Sequence, residues 1–241
     1  MGKRFKTVVI VGFIIFAAVL FLLSPFFYVN TDNLQVIGCV DIPREEILAR
    51  AGIGGTTRLI TLRTDEARKK IMENLYIDHV DFEKKLPGTL TVTVRERHLC
   101  GYVEYEQGKY LYIDGNGRVL EIKSNFTEKL PVVGGLKFTR VRLGEILEVE
   151  DAEAFKIMVA YARLFPKYEM SEIVSRIDLS DSANARIIAR NIDFNVGGGG
   201  SADEKVRTIK AILGNLASTE TLKGFVDLKE IREQYFLRIL T

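Results

Sequence analysis

The chain has 241 residues, with 34 Lys or Arg against 32 Asp or Glu, for a formal charge of +2. Three of the cations, Lys3, Arg4 and Lys6, stand at the N-terminus, so the remainder is near neutral and lacks the clustered cation excess that nucleic-acid phosphates require. Two cysteines, Cys39 and Cys100, are too few for a disulfide-stapled scaffold and form no C-x-x-C unit; the sequence leaves open whether they pair.

Residues 8–29 are a nearly unbroken apolar run, interrupted only by Ser24 and Pro25 near its end. As a helix at about 1.5 Å per residue the run measures about 33 Å, which matches a hydrocarbon core of about 30 Å. The three cations precede it and no acidic residue occurs before Asp32, an asymmetry that leaves residues 1–7 in the cytoplasm. Phe27 and Tyr28 fall where aromatic side chains settle at the outer headgroup level. A cleavable signal shares the basic start, but its apolar region is shorter and ends in a small-x-small site, which is missing here. The expectation is a retained single-pass anchor over residues 8–29, with everything after it outside the cytoplasm. About 210 residues then remain, enough for one large domain or two small ones.

Residues 30–98 read as a compact α+β unit. Leu34 to Gly38 form a short strand, and Asp41-Ile42-Pro43 opens a helix with Glu45 and Glu46 at its positive end and Gly52 as its stop. Leu59 to Leu62 read as extended. Thr64 is expected to cap the next helix, where Ala67, Ile71 and Leu75 share a face and Arg68, Lys69 and Lys70 face solvent. A strand over residues 77–84, a type II turn at Leu86-Pro87-Gly88, and a strand over residues 89–96 with clean alternation complete the unit.

Residues 99–241 are richer in strands. Strands are expected at 101–106, 109–114 and 118–122, the last two joined by the turn Asp114-Gly115-Asn116-Gly117. Residues 130–134 and 143–145 read as loops between sheet elements. A helix over 150–165 ends at Pro166, strands follow at 173–179, 186–189 and 193–196, and Ser201-x-x-Glu204 reads as a capping box for a helix bearing Val206, Ile209, Leu213 and Leu216. Two more strands close the chain, at 224–229 and 235–240.

These residues carry a resemblance. L-x-V-I-G at 34–38, P-R-E-E-I-L-A-R-A-G at 43–52 and K-L-P-G-T-L-T-V-T-V-R-E-R at 85–97 are similar to the POTRA domain of the FtsQ/DivIB family of bacterial cell-division proteins. Y-L-Y-I-D-G-N-G-R-V-L at 110–120, L-P-V-V-G-G at 130–135, I-D-L-S at 177–180 and F-V-D-L-K at 225–229 resemble that family's β domain in its own order. The resemblance implies an α+β fold: a transmembrane helix, a POTRA-type domain, then a mixed β-rich domain with packed helices. It departs from the family in a short cytoplasmic tail and an end soon after the last strand. It also implies a non-enzymatic divisome scaffold at the septal membrane that binds FtsL-like and FtsB/DivIC-like single-pass coiled-coil proteins and helps recruit septal wall synthesis. The positions implied in partner binding are Phe225, Val226, Asp227, Leu228 and Lys229, with Tyr235 and Phe236 nearby. By alternation Phe225 and Lys229 share one face of a strand and Val226 and Leu228 the other; one face must be inside, and the sequence does not say which.

Chemistry is sparsely encoded. His79 and His98 are the only histidines, both in or beside strands, and no nucleophile elbow, metalloprotease motif or clustered metal ligands occur, so no catalytic residue, cofactor or metal is expected. Asp178, Asp181 and Asp193 are imaginable as an acid/base set, but strand ends and turns account for them more simply. The glycines at 197–200 precede a helix but lack a following Lys-Ser/Thr, and Asp203 and Glu204 in its first turn would repel phosphate. Asn125-Phe126-Thr127 fits a weak glycosylation sequon, and Arg68-Lys69-Lys70 a solvated helix face with a lesser claim to membrane-surface contact. Two other functional classes remain open: a tethered wall enzyme, which needs converging acids, and a POTRA-bearing chaperone, which predicts binding to many unfolded chains. Neither small-molecule substrate nor nucleic acid is expected as a partner.

Overall fold

The computed structural model describes residues 2–22, 24, 27–29, 31–55, 57–106, 108–125, 129–216, 223–232 and 235–239, and divides into two compact units, 1–97 and 98–241. Phe126 and Thr127 of the sequon lie outside the described residues.

The first unit opens with α1 (Lys3–Leu22), whose Val8, Phe13 and Phe21 are 69%, 71% and 61% exposed. Among the described residues no helix is long and apolar enough to cross a membrane. The helix stops short of the end of the apolar run, and residues 23, 25 and 26 lie outside the described ones. Beyond them Phe27 and Val29 are buried, and Val29 joins the core of the folded unit. Their backbone explains why: the Val29 amide donates to Thr57 and the Leu59 amide to Phe27, at 2.8 and 2.9 Å, flanking an antiparallel bridge between Tyr28 and Arg58. Phe27 and Val29 are thus buried in the folded unit, with the half-buried Tyr28 between them.

A three-stranded sheet follows, with β1 (Leu34–Ile37), β2 (Ile77–Lys85) and β3 (Thr89–Glu96) in the order β1-β3-β2, β1 parallel and β2 antiparallel to β3. The alternation of β3 buries Leu90, Val92 and Val94 against Ile47 and Ala51 of α2 (Arg44–Ala51) and Ala67 and Ile71 of α3 (Thr64–Met72). Gly52 ends α2 in the left-handed conformation at φ 66°, and the next amide, Ile53, donates to Leu48 at 2.9 Å. Thr64 is the first residue of α3 rather than its cap, Arg63 in the cap position makes no side-chain cap bond, and Leu59 lies buried in a turn rather than a strand. A turn forms at 86–88, but it is not the expected type II turn: the Leu86–Pro87 peptide is cis, and Gly88 is not among the glycines with the positive φ that type II requires. The Glu96 carboxylate takes the amides of Val40, Asp41 and Ile42 at 2.9 to 3.2 Å, tying the β1–α2 loop to the end of β3.

The second unit is built on a nine-stranded sheet. Its strands are β4 (Leu99–Glu104), β5 (Tyr110–Asp114), β6 (Val119–Lys123), β7 (Val132–Gly134), β10 (Val174–Asp178), β11 (Arg186–Ala189), β12 (Ile192–Asn195), β13 (Gly224–Asp227) and β14 (Arg238–Ile239). Across the sheet they run β14-β13-β12-β11-β10-β7-β4-β5-β6, while β8 (Phe138–Arg140) and β9 (Glu148–Val149) pair separately. The segment 130–134, which reads as a loop, supplies β7, parallel to both β4 and β10 at the sheet centre. Three residues between a proline and a glycine carry too little pattern to announce a strand; partners on both sides make it one.

One face of this sheet is covered by α4 (Ala152–Lys167) and α5 (Ala202–Asn215), whose Ile157, Met158, Tyr161, Phe165, Val206, Ile209 and Leu213 meet Ile177, Ile187, Phe194 and Val226 in one core. Asp151 caps α4, accepting the amides of Glu153 and Ala154, and Pro166 sits inside the last turn rather than ending the helix before it. Ser201 precedes α5 at φ 57° without a side-chain cap bond, so the expected capping box is not formed.

One core group is out of place chemically. Tyr161 is fully buried, its ring 5.8 Å from that of Phe165, and its hydroxyl has no hydrogen-bond partner among the described residues; burial pushes its ionisation far up. Tyr161→Phe keeps the ring and removes the desolvated hydroxyl, so it is expected to raise stability by about 1 kcal/mol. Thermal unfolding of the two proteins checks this, and a loss of stability in the variant would mean the hydroxyl is bonded.

Candidate partner-binding interface

β14 is the terminal strand of the nine-stranded sheet, and β13 lies beside it. β14 pairs antiparallel with only the start of β13, in the register Gly224↔Ile239 and Phe225↔Arg238, while β12 runs parallel along all four residues of β13, Gly224 to Asp227. Of residues 235–240, only Arg238 and Ile239 are in a strand, both exposed, with residue 240 outside the described ones.

Alternation along β13 now has a definite sense. Val226 and Leu228 are 1% and 0% exposed and belong to the core under the helices, so their side chains are not available to a partner. Phe225 is half-buried and Asp227 and Lys229 are exposed on the opposite side. The open face carries the cross-strand row Arg176, Ile188, Asp193, Phe225 and Arg238. Next to it, Phe225, Asp227, Arg232, Tyr235, Phe236 and Arg238 line a shallow cavity of about 170 Å³, over which Phe236 is 87% exposed. The Tyr235 hydroxyl accepts the Arg232 amide at 2.7 Å and Asp227 accepts the Lys229 amide at 3.1 Å, bonds that shape the loop between β13 and β14. An exposed aromatic, a half-buried one and two arginines beside a short edge strand are the means to recognise an extended or helical segment of another protein. Sequence reasoning placed Phe225, Asp227, Tyr235 and Phe236 in this region but missed Arg232 and Arg238, whose register only the sheet supplies.

The residues considered for chemistry have structural duties. Asp178 accepts the amide and hydroxyl of Ser180, and Asp181 accepts Asn184 and the Ala183 amide; those bonds hold both carboxyls below the usual carboxylate range, the reverse of what a general acid needs. Asp193 pairs with Arg186 on the neighbouring strand. Burial pushes the Cys100 thiol up to about 11, and the half-buried Cys39 is shifted up for the same reason; both are free thiols. His79 and His98 are exposed. Among the described residues no group of three or more His, Cys, Asp or Glu side chains is arranged to hold a metal ion.

The glycine stretch at 197–200 is organised by a cation. Lys205, 3% exposed, donates its ammonium to the carbonyl of Val196 at 2.6 Å and faces that of Gly198 at 3.4 Å; desolvation lowers its pKa. The loop thus presents carbonyl oxygens to a buried amine, and Glu153, Glu204 and Glu230 outnumber Lys205 and Lys229 in the lining of the adjoining cavity, an environment that disfavours phosphate.

Residues 29–97 match the family model for the POTRA domain, FtsQ-type. The chain is 26% identical to the cell division protein DivIB of Clostridium botulinum strain Hall over 227 residues, which covers 94% of this chain and 88% of that protein. It is 27% identical to DivIB of Clostridium tetani over 78% of this chain and 71% of the relative. The cell division protein FtsQ of Rhizobium meliloti is 28% identical over 43% of this chain and 34% of its own length.

Proposed function

Because the chain belongs to the FtsQ/DivIB family of cell-division proteins, we propose that it is a non-enzymatic divisome scaffold, held in the membrane by α1 and presenting its two folded units outside the cytoplasm. Its partners in this reading are FtsL-like and FtsB/DivIC-like single-pass proteins, whose membrane-proximal segments meet the edge at β14 and the open face beside it. The observation that supports the reading is the sheet order: the chain's last strand closes one edge, is only two residues long, and leaves the second half of β13 and the aromatic loop before it open. A segment laid there extends the sheet through main-chain hydrogen bonds and sets side chains against Phe225 and Phe236. For α1, the support is the uncharged apolar sequence of residues 8–22, preceded by Lys3, Arg4 and Lys6. Co-anchoring in one membrane raises the effective concentration of the partners, so a weak strand-edge contact suffices.

The test is a binding titration of the intact protein, in detergent or nanodiscs, with the membrane-proximal segments of the host's FtsL-like and FtsB/DivIC-like proteins. The double variant Phe225→Ala/Phe236→Ala is expected to bind about 30-fold more weakly, the loss of roughly 2 kcal/mol that central aromatic contacts carry. Unchanged affinity in the variant moves the interface elsewhere, and no binding by the parent protein overturns the scaffold reading.

A further inference from the structure

The geometry points to a second, unassigned site: the cleft between the α2–α3 connection and α3 binds the phosphate headgroup of an anionic phospholipid in the outer face of the bilayer. This rests on reading α1 as the membrane anchor.

The first unit ties that cleft to the end of α1. In the last turn of α1 the ring of Phe21 stands edge-on to Phe27 at 5.4 Å between centroids, the Ser24 amide donates to Phe21, and the Phe27 amide donates to Ser24. Phe27 is buried, and the next residue, Tyr28, bridges to Arg58. Arg58 donates Nε to the Tyr28 hydroxyl at 2.9 Å, with its guanidinium carbon 5.1 Å from the ring centroid. With α1 in the bilayer, Tyr28 and Arg58 emerge at headgroup depth, where amphipathic aromatics and long cations are at home.

Around this pair the chain gathers positive charge. Tyr28, Arg58, Thr61, Arg63 and Lys70 line an open cleft of about 560 Å³, with Glu66 as the acidic residue of the lining. Glu66 engages Arg63 at 2.7 Å, so the lining carries an excess of two positive charges, with Lys70 exposed and Arg58 half-buried beside Tyr28. The basic run on α3 divides accordingly. Arg68 is turned to the sheet, donating to the Val80 carbonyl and to Asp65 and Asp81 at 2.9 to 3.2 Å. Lys69 is exposed outside the cleft lining, and Lys70 enters the cleft. A phosphodiester suits this arrangement because it takes charge-assisted hydrogen bonds from Arg and Lys, while its acyl chains stay in the bilayer beside α1. Binding would also fix the height and tilt of the first unit over the membrane.

The test uses the full chain in nanodiscs of equimolar phosphatidylcholine and phosphatidylglycerol, with the lipids retained on release into detergent counted by native mass spectrometry. The parent protein is expected to retain phosphatidylglycerol in preference, and Arg63→Gln/Lys70→Gln to lower that preference on the order of tenfold, since each surface cation contributes about 1 kcal/mol toward anionic lipid. Lys69→Gln, on the same helix but outside the cleft, is expected to leave it unchanged. Arg58 is untouched in these variants, so the Tyr28–Arg58 pairing persists, and an equal melting temperature verifies the fold. Equal retention of both lipids by the parent, or a preference indifferent to the double variant, overturns the site. A Lys69→Gln loss as large as that of the double variant reduces it to diffuse charge. Displacement of the lipid by millimolar glycerol 3-phosphate would identify a soluble phosphate ligand instead of a membrane lipid. Release of the protein from vesicles by an alkaline carbonate wash would defeat the anchor reading itself, an outcome separate from all of these.

Discussion

Gly38→Ala is expected to unravel the three-stranded sheet of the first unit. Gly38 follows β1 at φ 89°, a left-handed conformation that costs an L side chain of order 1–3 kcal/mol. Strain is the smaller part of the effect. A Cβ built there would lie 2.0 Å from the Val94 carbonyl oxygen, and the obstacle is backbone of the central strand, which cannot swing aside like a side chain. Relief requires β1 to separate from β3, which carries its parallel register from Leu34↔Leu90 to Ile37↔Thr93. The combined penalty is expected to reach about 3 kcal/mol or more, a large fraction of a domain's 5–15 kcal/mol. Gly135→Ala, at φ 83° with its Cβ 2.2 Å from the Ser180 amide nitrogen, is the counterpart in the second unit. Hydrogen–deuterium exchange reads both. Protection of β1 and β3 amides should fall by roughly two orders of magnitude for Gly38→Ala, and that of β7 and β10 for Gly135→Ala. Near-parental protection would mean the backbone does not take the left-handed path at these residues.

The second large effect separates the buried and the exposed side of the segment that joins β13 to β14. Leu228→Ala is expected to destabilise the second unit by about 2–5 kcal/mol, because Leu228 is fully buried in the core shared with the helices and truncation leaves a cavity. Phe236→Ala, removing a ring that is 87% exposed, should change stability by no more than about 0.5 kcal/mol. In the partner titration the order reverses: Phe236→Ala weakens binding at full foldedness, whereas Leu228→Ala acts only through the fraction unfolded, so lowering the temperature restores its binding. Chemical denaturation gives the stabilities. Equal destabilisation by the two variants would contradict the burial of Leu228 just after β13 and the exposure of Phe236 before β14.

Much of the fold is written locally. The helices at 44–51, 64–72, 152–167 and 202–215 have apolar stripes three and four residues apart, β3 alternates without a break, and Asp114-Gly115-Asn116-Gly117 turns between β5 and β6. The P-R-E-E-I-L and K-L-P-G-T-L patterns identified the family's first domain because each joins a stop, a turn or a cap to a periodic face. Local signals also misled where two uses of one residue type look alike. Ser201 and Thr64 have cap chemistry in sequence, yet Ser201 enters its helix at φ 57° without a side-chain cap bond, and Thr64 is already the first helical residue, with Arg63 in the cap position.

What the sequence determined by itself was therefore the set of helices, turns and alternating strands, the charge asymmetry around the apolar N-terminal run, and the family. Tertiary structure decided the rest, because the deciding contacts join residues far apart in the chain. Phe27 and Val29 are hydrophobic enough for lipid or for core, and only the pairing with residues 57–59 assigns them to the domain. Residues 132–134 became a central strand because β4 and β10 meet them from both sides. Val226 and Leu228 face inward, and Phe225 outward beside Arg238, because α4 and α5 cover one face of the sheet. Period-two alternation defines two faces, but only the element packed against one of them says which is buried.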